Sequence, residues 1–222
     1  MVRALFCLIL FGSTTLSIAQ LPNDQVDVGQ LMGELIITEK KGDNIKQVMI
    51  LPPDYWEIAL SEGRYAGSSV INELRAVFDG YLLVGTLDVK VNVMGNFLGN
   101  EIDIQLIDGN QNVHKPIPED ELNQDLKRMV SVFQPAMVSM LGKLGEQLQF
   151  YVFDNYDANG DEILSPREKG NFAIVVNGSK FPYRTPLGSM VEKKICPTTG
   201  EELNGNWDFC QWHGTKLNKK NN

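Results

Sequence analysis

Two stretches of the chain alternate strictly between apolar and polar residues. Leu87, Val89, Val91 and Val93 are separated by Asp88, Lys90 and Asn92; beyond a Gly-Asn turn region, Ile102, Ile104 and Leu106 are separated by Asp103 and Gln105. Successive side chains of a strand point to opposite faces, so the pattern predicts a strand pair with one buried and one wet face. Earlier, ELIITEKKGDNIKQVMIL sets two β-branched-rich runs around a Lys-Lys-Gly-Asp-Asn turn, which predicts a hairpin. Pro52-Pro53 ends it and opens a helix through about Leu60.

Elsewhere a three-and-four spacing replaces the alternation. Val70, Ile71, Leu74, Val77 and Phe78 mark one face of a helix that starts after Ser68 as N-cap and stops before Gly80. Pro118 with Glu119, Asp120 and Glu121 gives helix-start chemistry, because acidic groups favour the positive end of the helix dipole. Leu122, Leu126, Met129, Val130 and Phe133 supply that helix's apolar face. Pro135 predicts a break, after which Met137, Met140, Leu141, Leu144, Leu148 and Tyr151 predict a second helix running towards Asp157. The expected fold class is α+β.

Residues 1–19 read as a secretory leader. Arg3 precedes the apolar core ALFCLILF, and Ser17-Ile18-Ala19 puts small residues where a signal peptidase reads them. A membrane helix needs about 20 apolar residues and this core has fewer than half that, so no membrane span is expected. The mature chain would begin near Gln20 and be secreted. Cys7 then leaves with the leader, and in an oxidising compartment the remaining pair, Cys196 and Cys210, reads as a disulfide. Closing a loop of about 15 residues would contribute about 3 kcal/mol. Asn177-Gly178-Ser179 is a sequon that secretion would open to glycosylation at Asn177. A hydrophobic share of 43% suffices for a real core, and a formal charge of -8 disfavours nucleic acid and anionic membranes as partners.

Residues 157–168, DANGDEILSPRE, carry the most pointed chemistry. Asp157, Asn159, Asp161, Ser165 and Glu168 bring side-chain oxygens, Ile163 a backbone carbonyl, and Leu164 is apolar where a calcium loop wants an apolar residue. Calcium takes six to eight oxygens from alternating positions of a tight loop, with a bidentate closing carboxylate. The stretch resembles the loop of an EF-hand. The resemblance implies a helix ending near Tyr156, a short helix after Pro166, and Asp157, Asn159, Asp161, Ile163, Ser165 and Glu168 as calcium ligands. Glu162 departs from the family, which has Gly at that position. Residues 108–119 repeat part of the pattern, but Lys115 and Pro116 break it, so a turn is expected there and His114 is read as a solvated loop histidine.

The C-terminal stretch KICPTTGEELNGNWDFCQWHGTKL resembles a zinc ribbon, with Cys196 and Cys210 each at the first position of a Cys-x-x-Cys knuckle. Thr199 stands in place of one family ligand and His213 in place of another. With a neutral Thr as a poor fourth ligand, the expectation is a ribbon-like hairpin whose Cys196 to Cys210 disulfide replaces the metal, with Trp207 and Trp212 packed on it.

The chain therefore divides into a leader (1–19), an α+β region (20–118), a helical region with the EF-hand (119–180) and a ribbon-like lobe (181–222). The function expected is that of a secreted calcium-binding protein, with Ca2+ as its cofactor and a structural role or an extracellular protein partner. No enzyme is expected: there are two histidines, and no serine nucleophile elbow, phosphate loop or two-histidine metal motif. The alternatives are a zinc-binding ribbon module and a secreted hydrolase with paired carboxylates.

Overall fold

A computed structural model describes residues 19–60 and 69–220; apart from Ala19, the expected leader lies outside the described residues, as does Ser68. Helix α1 (Val28–Leu35) is capped by Asp27, whose carboxylate accepts the Gln30 N–H at 2.7 Å. The predicted hairpin follows as β1 (Ile36–Lys41) and β2 (Asn44–Leu51), and α2 (Pro53–Leu60) starts at the predicted proline. After α3 (Ser69–Phe78), the long strand β3 (Tyr81–Val91) forms the centre of an antiparallel five-stranded sheet. It pairs β2 along one edge; along the other it pairs β7 (Gln149–Asp154) and then β4 (Phe97–Gly99).

A second sheet has the order β6 (Val113–His114), β5 (Ile104–Ile107), β8 (Gly170–Val176), β9 (Ser179–Thr185). Its Leu106, Ile174, Val176 and Phe181 share one core with Val48, Ile50, Leu82, Val84 and Phe153 of the first sheet, so the two sheets lie face to face. The opposite face of the first sheet, with Met49, Leu83, Leu87, Val89 and Val152, is covered by helices. There Trp56 of α2 stacks between Phe78 of α3 and Phe133 of α4 (Gln124–Leu141), with ring centroids 5.1 and 4.9 Å away. The architecture is mixed α/β, with open sheets.

Burial on both faces corrects the reading of β3. Leu87 and Asp88 are 0% and 5% exposed, so the strand has no wet face. Its predicted partner, β5, belongs to the other sheet. Asp88 survives inside because Asn177 and Asn100 donate to it at 2.8 and 2.9 Å and Lys46 lies 3.4 Å away.

The predicted break at Pro135 is absent, since α4 runs through it. Pro135 and Ser131, the residue whose carbonyl loses its helical partner, are both exposed, so solvent can take up the lost bond. The helix ends instead at Gly142, with φ 57°. No second helix runs into residues 157–168. Phe150, Tyr151, Val152 and Phe153 form β7, apolar on both faces, and such a run reads equally as a buried helix or a buried strand. The open edge of β3 decides it.

Candidate functional site

The loop at residues 157–161 is an Asx-type turn between β7 and β8 rather than the entry of a helix-loop-helix unit. Asp157 Oδ1 accepts the N–H groups of Asn159 and Asp161 at 2.8 and 3.0 Å, and the Gly160 N–H donates to the Asp157 carbonyl at 3.0 Å. The left-handed residue is Gly160, φ 84°, two positions before the one at which an EF-hand turns. Asn155 then fastens the exit: it donates to the Leu164 carbonyl and accepts the Leu164 N–H, at 2.9 and 3.0 Å. Ser165 and Glu168 fall in irregular chain with no helix after Pro166, so Glu168 lacks the helix start that would aim it as a closing ligand.

The metal-capable chemistry lies elsewhere. Among the described residues, the side chains of Cys196, Cys210 and His213 bring their ligand atoms within 4.8 Å of one another, whereas the carboxylates of residues 157–168 form no such group. Thiolate and imidazole donors select zinc or another transition metal, while calcium takes hard oxygens. This overturns the calcium expectation, and with it the calcium-dependent partner surface. The disulfide is corrected too: both cysteines are free thiols, with the sulfur atoms 3.6 Å apart against about 2.05 Å for a bond.

Local sequence explains how the three side chains meet. Residues 194–203 and 208–217 read KICPTTGEEL and DFCQWHGTKL, one pattern written twice. In the first, the Cys196 N–H donates to the Glu201 carbonyl at 2.9 Å and the Gly200 N–H to the Cys196 carbonyl at 2.8 Å. The second repeats both bonds, from Cys210 to Thr215 and from Gly214 to Cys210, each at 2.8 Å. Gly200 and Gly214 hold the left-handed φ values of 74° and 64° that close each loop. Strand β10 (Lys194–Ile195) pairs both β11 (Glu202–Leu203) and β12 (Asn218–Lys219). The lobe's core is the repeat itself: Cys196 and Leu203, Cys210 and Leu217.

His213 Nδ1 lies 3.5 Å from Cys196 Sγ and 3.3 Å from Cys210 Sγ. The Cys196 thiol is brought down to about 5, first by a hydrogen bond from the Thr199 hydroxyl, then by the backbone N–H groups of Thr198 and Thr199 and by Cys210, against the opposing effect of burial. That lowering favours the thiolate, the form that binds metal. The expected packing of tryptophans on a disulfide is not found: Trp207 and Trp212 are 37% and 69% exposed.

Other sequence-level candidates have structural places. His114 is half-buried and lies 3.0 Å from Asp108, not solvated in a free loop. The Asn177 amide donates one hydrogen to Asp88 and the other to the Glu101 carbonyl, both at 2.8 Å, and its oxygen accepts the Asp103 N–H. A glycan on that nitrogen would remove at least one of these bonds. The repeated Cys-x-x-x-Gly-x-x-Leu spacing was the available signal for two equivalent loops. The sequence alone does not show that His213 completes a ligand set with both sulfurs.

No family model matches the chain, and no curated protein matches it. Among solved structures, similarity extends to a DUF4426 family protein from Pseudomonas aeruginosa PAO1, at 11% identity over 68% of this chain and 93% of that one, with a TM-score of 0.31. A score that low assigns no fold. No helix among the described residues is long and apolar enough to cross a membrane.

Proposed function

We propose that the chain is a zinc-binding protein whose C-terminal, ribbon-like lobe holds one Zn2+ through Cys196 Sγ, Cys210 Sγ and His213 Nδ1. The observation that carries this reading is the triangle of ligand atoms. Tetrahedral zinc, with bonds of about 2.3 Å to sulfur and about 2.0 to 2.1 Å to nitrogen, sets its ligands about 3.8 Å apart for a sulfur pair and about 3.5 Å for sulfur and nitrogen. The lobe supplies 3.6 Å between the sulfurs and 3.5 and 3.3 Å from each to the nitrogen.

A structural role suits the lobe, because four buried side chains are too small a core to hold three two-residue strands without a further tie. The chain is read as exported on the strength of the leader, and ligation would then keep two thiols from oxidising. Metal analysis of the full mature chain, purified without chelator, tests this: about one zinc per chain is expected, lost in Cys196→Ser and in Cys210→Ser. Metal-free protein that takes up no zinc on titration would overturn it.

A further inference from the structure

Three strong ligands leave one vertex of a tetrahedral ion unassigned, and the repeat shows which residue stands beside it. The two loops share their backbone hydrogen bonds and their left-handed glycines, so Thr199 occupies in the first loop the place that His213 occupies in the second. Zinc in proteins is bound by thiolate, imidazole and carboxylate, and a neutral hydroxyl is a poor ligand. The Thr199 oxygen is also engaged: it hydrogen-bonds the Cys196 sulfur and lies 3.5 Å from the Glu201 N–H. Thr199 is therefore a neighbour of the vertex and a support for Cys196.

We propose that the lobe's zinc keeps an exchangeable fourth position, marked but not filled by Thr199, which takes water or a small anionic donor such as a thiolate, a carboxylate or azide. The inference rests on the zinc reading above. Charge does not bar an anion there. Zinc with two thiolates and a neutral imidazole is formally uncharged. Residues 193–220 hold five lysines against three carboxylates, in a chain whose net charge is -8. The site is also reachable: Thr199 and His213 are both exposed, while the two sulfurs are buried behind them. Three protein ligands tie the lobe together and leave one replaceable position at which zinc can meet an outside molecule, whereas a closed set of four leaves none.

The test uses the full mature chain with Co2+ in place of Zn2+, whose visible bands report coordination, titrated with azide. In the unaltered chain the bands shift saturably with azide. In Thr199→Cys a third thiolate closes the vertex: azide no longer shifts the bands, and thiolate-to-cobalt absorption rises in the ratio of three to two. Thr199→Val, which loses the hydroxyl beside Cys196, shifts the thiolate-to-cobalt band but keeps the azide response at the same midpoint. Azide binding at least tenfold tighter in Thr199→Val would mean that azide no longer has to displace the hydroxyl, which would make the hydroxyl itself the fourth ligand and overturn the inference. Tetrahedral cobalt bands indifferent to azide in the unaltered chain would overturn it while leaving the zinc reading intact. Absence of thiolate-cobalt bands would instead remove the zinc reading beneath it.

Discussion

Asp108 and Asp157 organise the same five-residue turn. Asp108 Oδ1 accepts the N–H groups of Asn110 and Asn112, both at 2.8 Å, as Asp157 does those of Asn159 and Asp161, and the left-handed residue is Gln111 in one turn and Gly160 in the other. In each turn one carboxylate oxygen is taken up by the turn's own backbone. The oxygen spacing that reads as a calcium loop is, in both places, the spacing of a turn.

Calcium should therefore leave the protein's melting temperature unchanged, and Asp157→Ala should weaken the fold with or without calcium. Asp108→Ala should cost more, about 2 to 3 kcal/mol, because Asp108 is also buried and bonded to His114. Urea unfolding at two calcium concentrations checks both; a calcium-dependent rise in the midpoint that Asp157→Ala abolishes would restore the loop as a cation site.

Asp88 and Asp108 make stability pH-dependent in a definite direction. Burial opposes the charge of each, but Asn177, Asn100 and Lys46 for Asp88, and His114, Asn112 and Asn110 for Asp108, outweigh it and hold both carboxyls below their ordinary value of 3.8. A carboxyl lowered in the folded state stabilises above its unfolded value, and that contribution is lost as pH falls through the folded one. The urea midpoint should thus decline as pH drops below about 4, and Asp88→Asn should flatten part of that decline. At neutral pH Asp88→Asn should cost about 3 kcal/mol, since it leaves the largely buried Lys46 amine without its charge partner.

Glu34 ties α1 to the approach to the C-terminal lobe. Its carboxylate accepts the Gly188 and Ser189 N–H groups at 3.0 Å, the Ser189 hydroxyl at 2.7 Å and the Asn204 amide at 3.3 Å. Glu34→Ala should cost about 2 kcal/mol, with hydrogen exchange rising first at Gly188 and Ser189.

Zinc and a disulfide are alternatives at Cys196 and Cys210, because the sulfurs must close from 3.6 Å to about 2.05 Å to bond. Thiol titration should find the pair protected until zinc is chelated and reactive afterwards. Oxidation by diamide should then yield an intramolecular disulfide that blocks zinc uptake. If the chelated protein shows no free thiols, the pair was already oxidised.

The hairpin of β1 and β2, the proline start of α2 and the apolar face of α3 were legible because local rules decide them: turn residues, a fixed φ and a repeating spacing. The two cysteines were read as the knuckles of one hairpin, but the glycines that close their loops, Gly200 and Gly214, were not. Other features were settled by contacts between segments far apart in sequence. Gln149–Asp154 became a strand because β3 offered an open edge, and an apolar run with no polar face cannot declare its own period. The same burial on both faces removed the wet side that the alternation in β3 implied. At the candidate metal site the sequence determined the donors, Cys196, Cys210 and His213, and the turn that presents each. Only the tertiary structure decided that they meet as a ligand triangle rather than as a disulfide, because pairing within the lobe fixes the sulfur separation, and spacing along a chain does not.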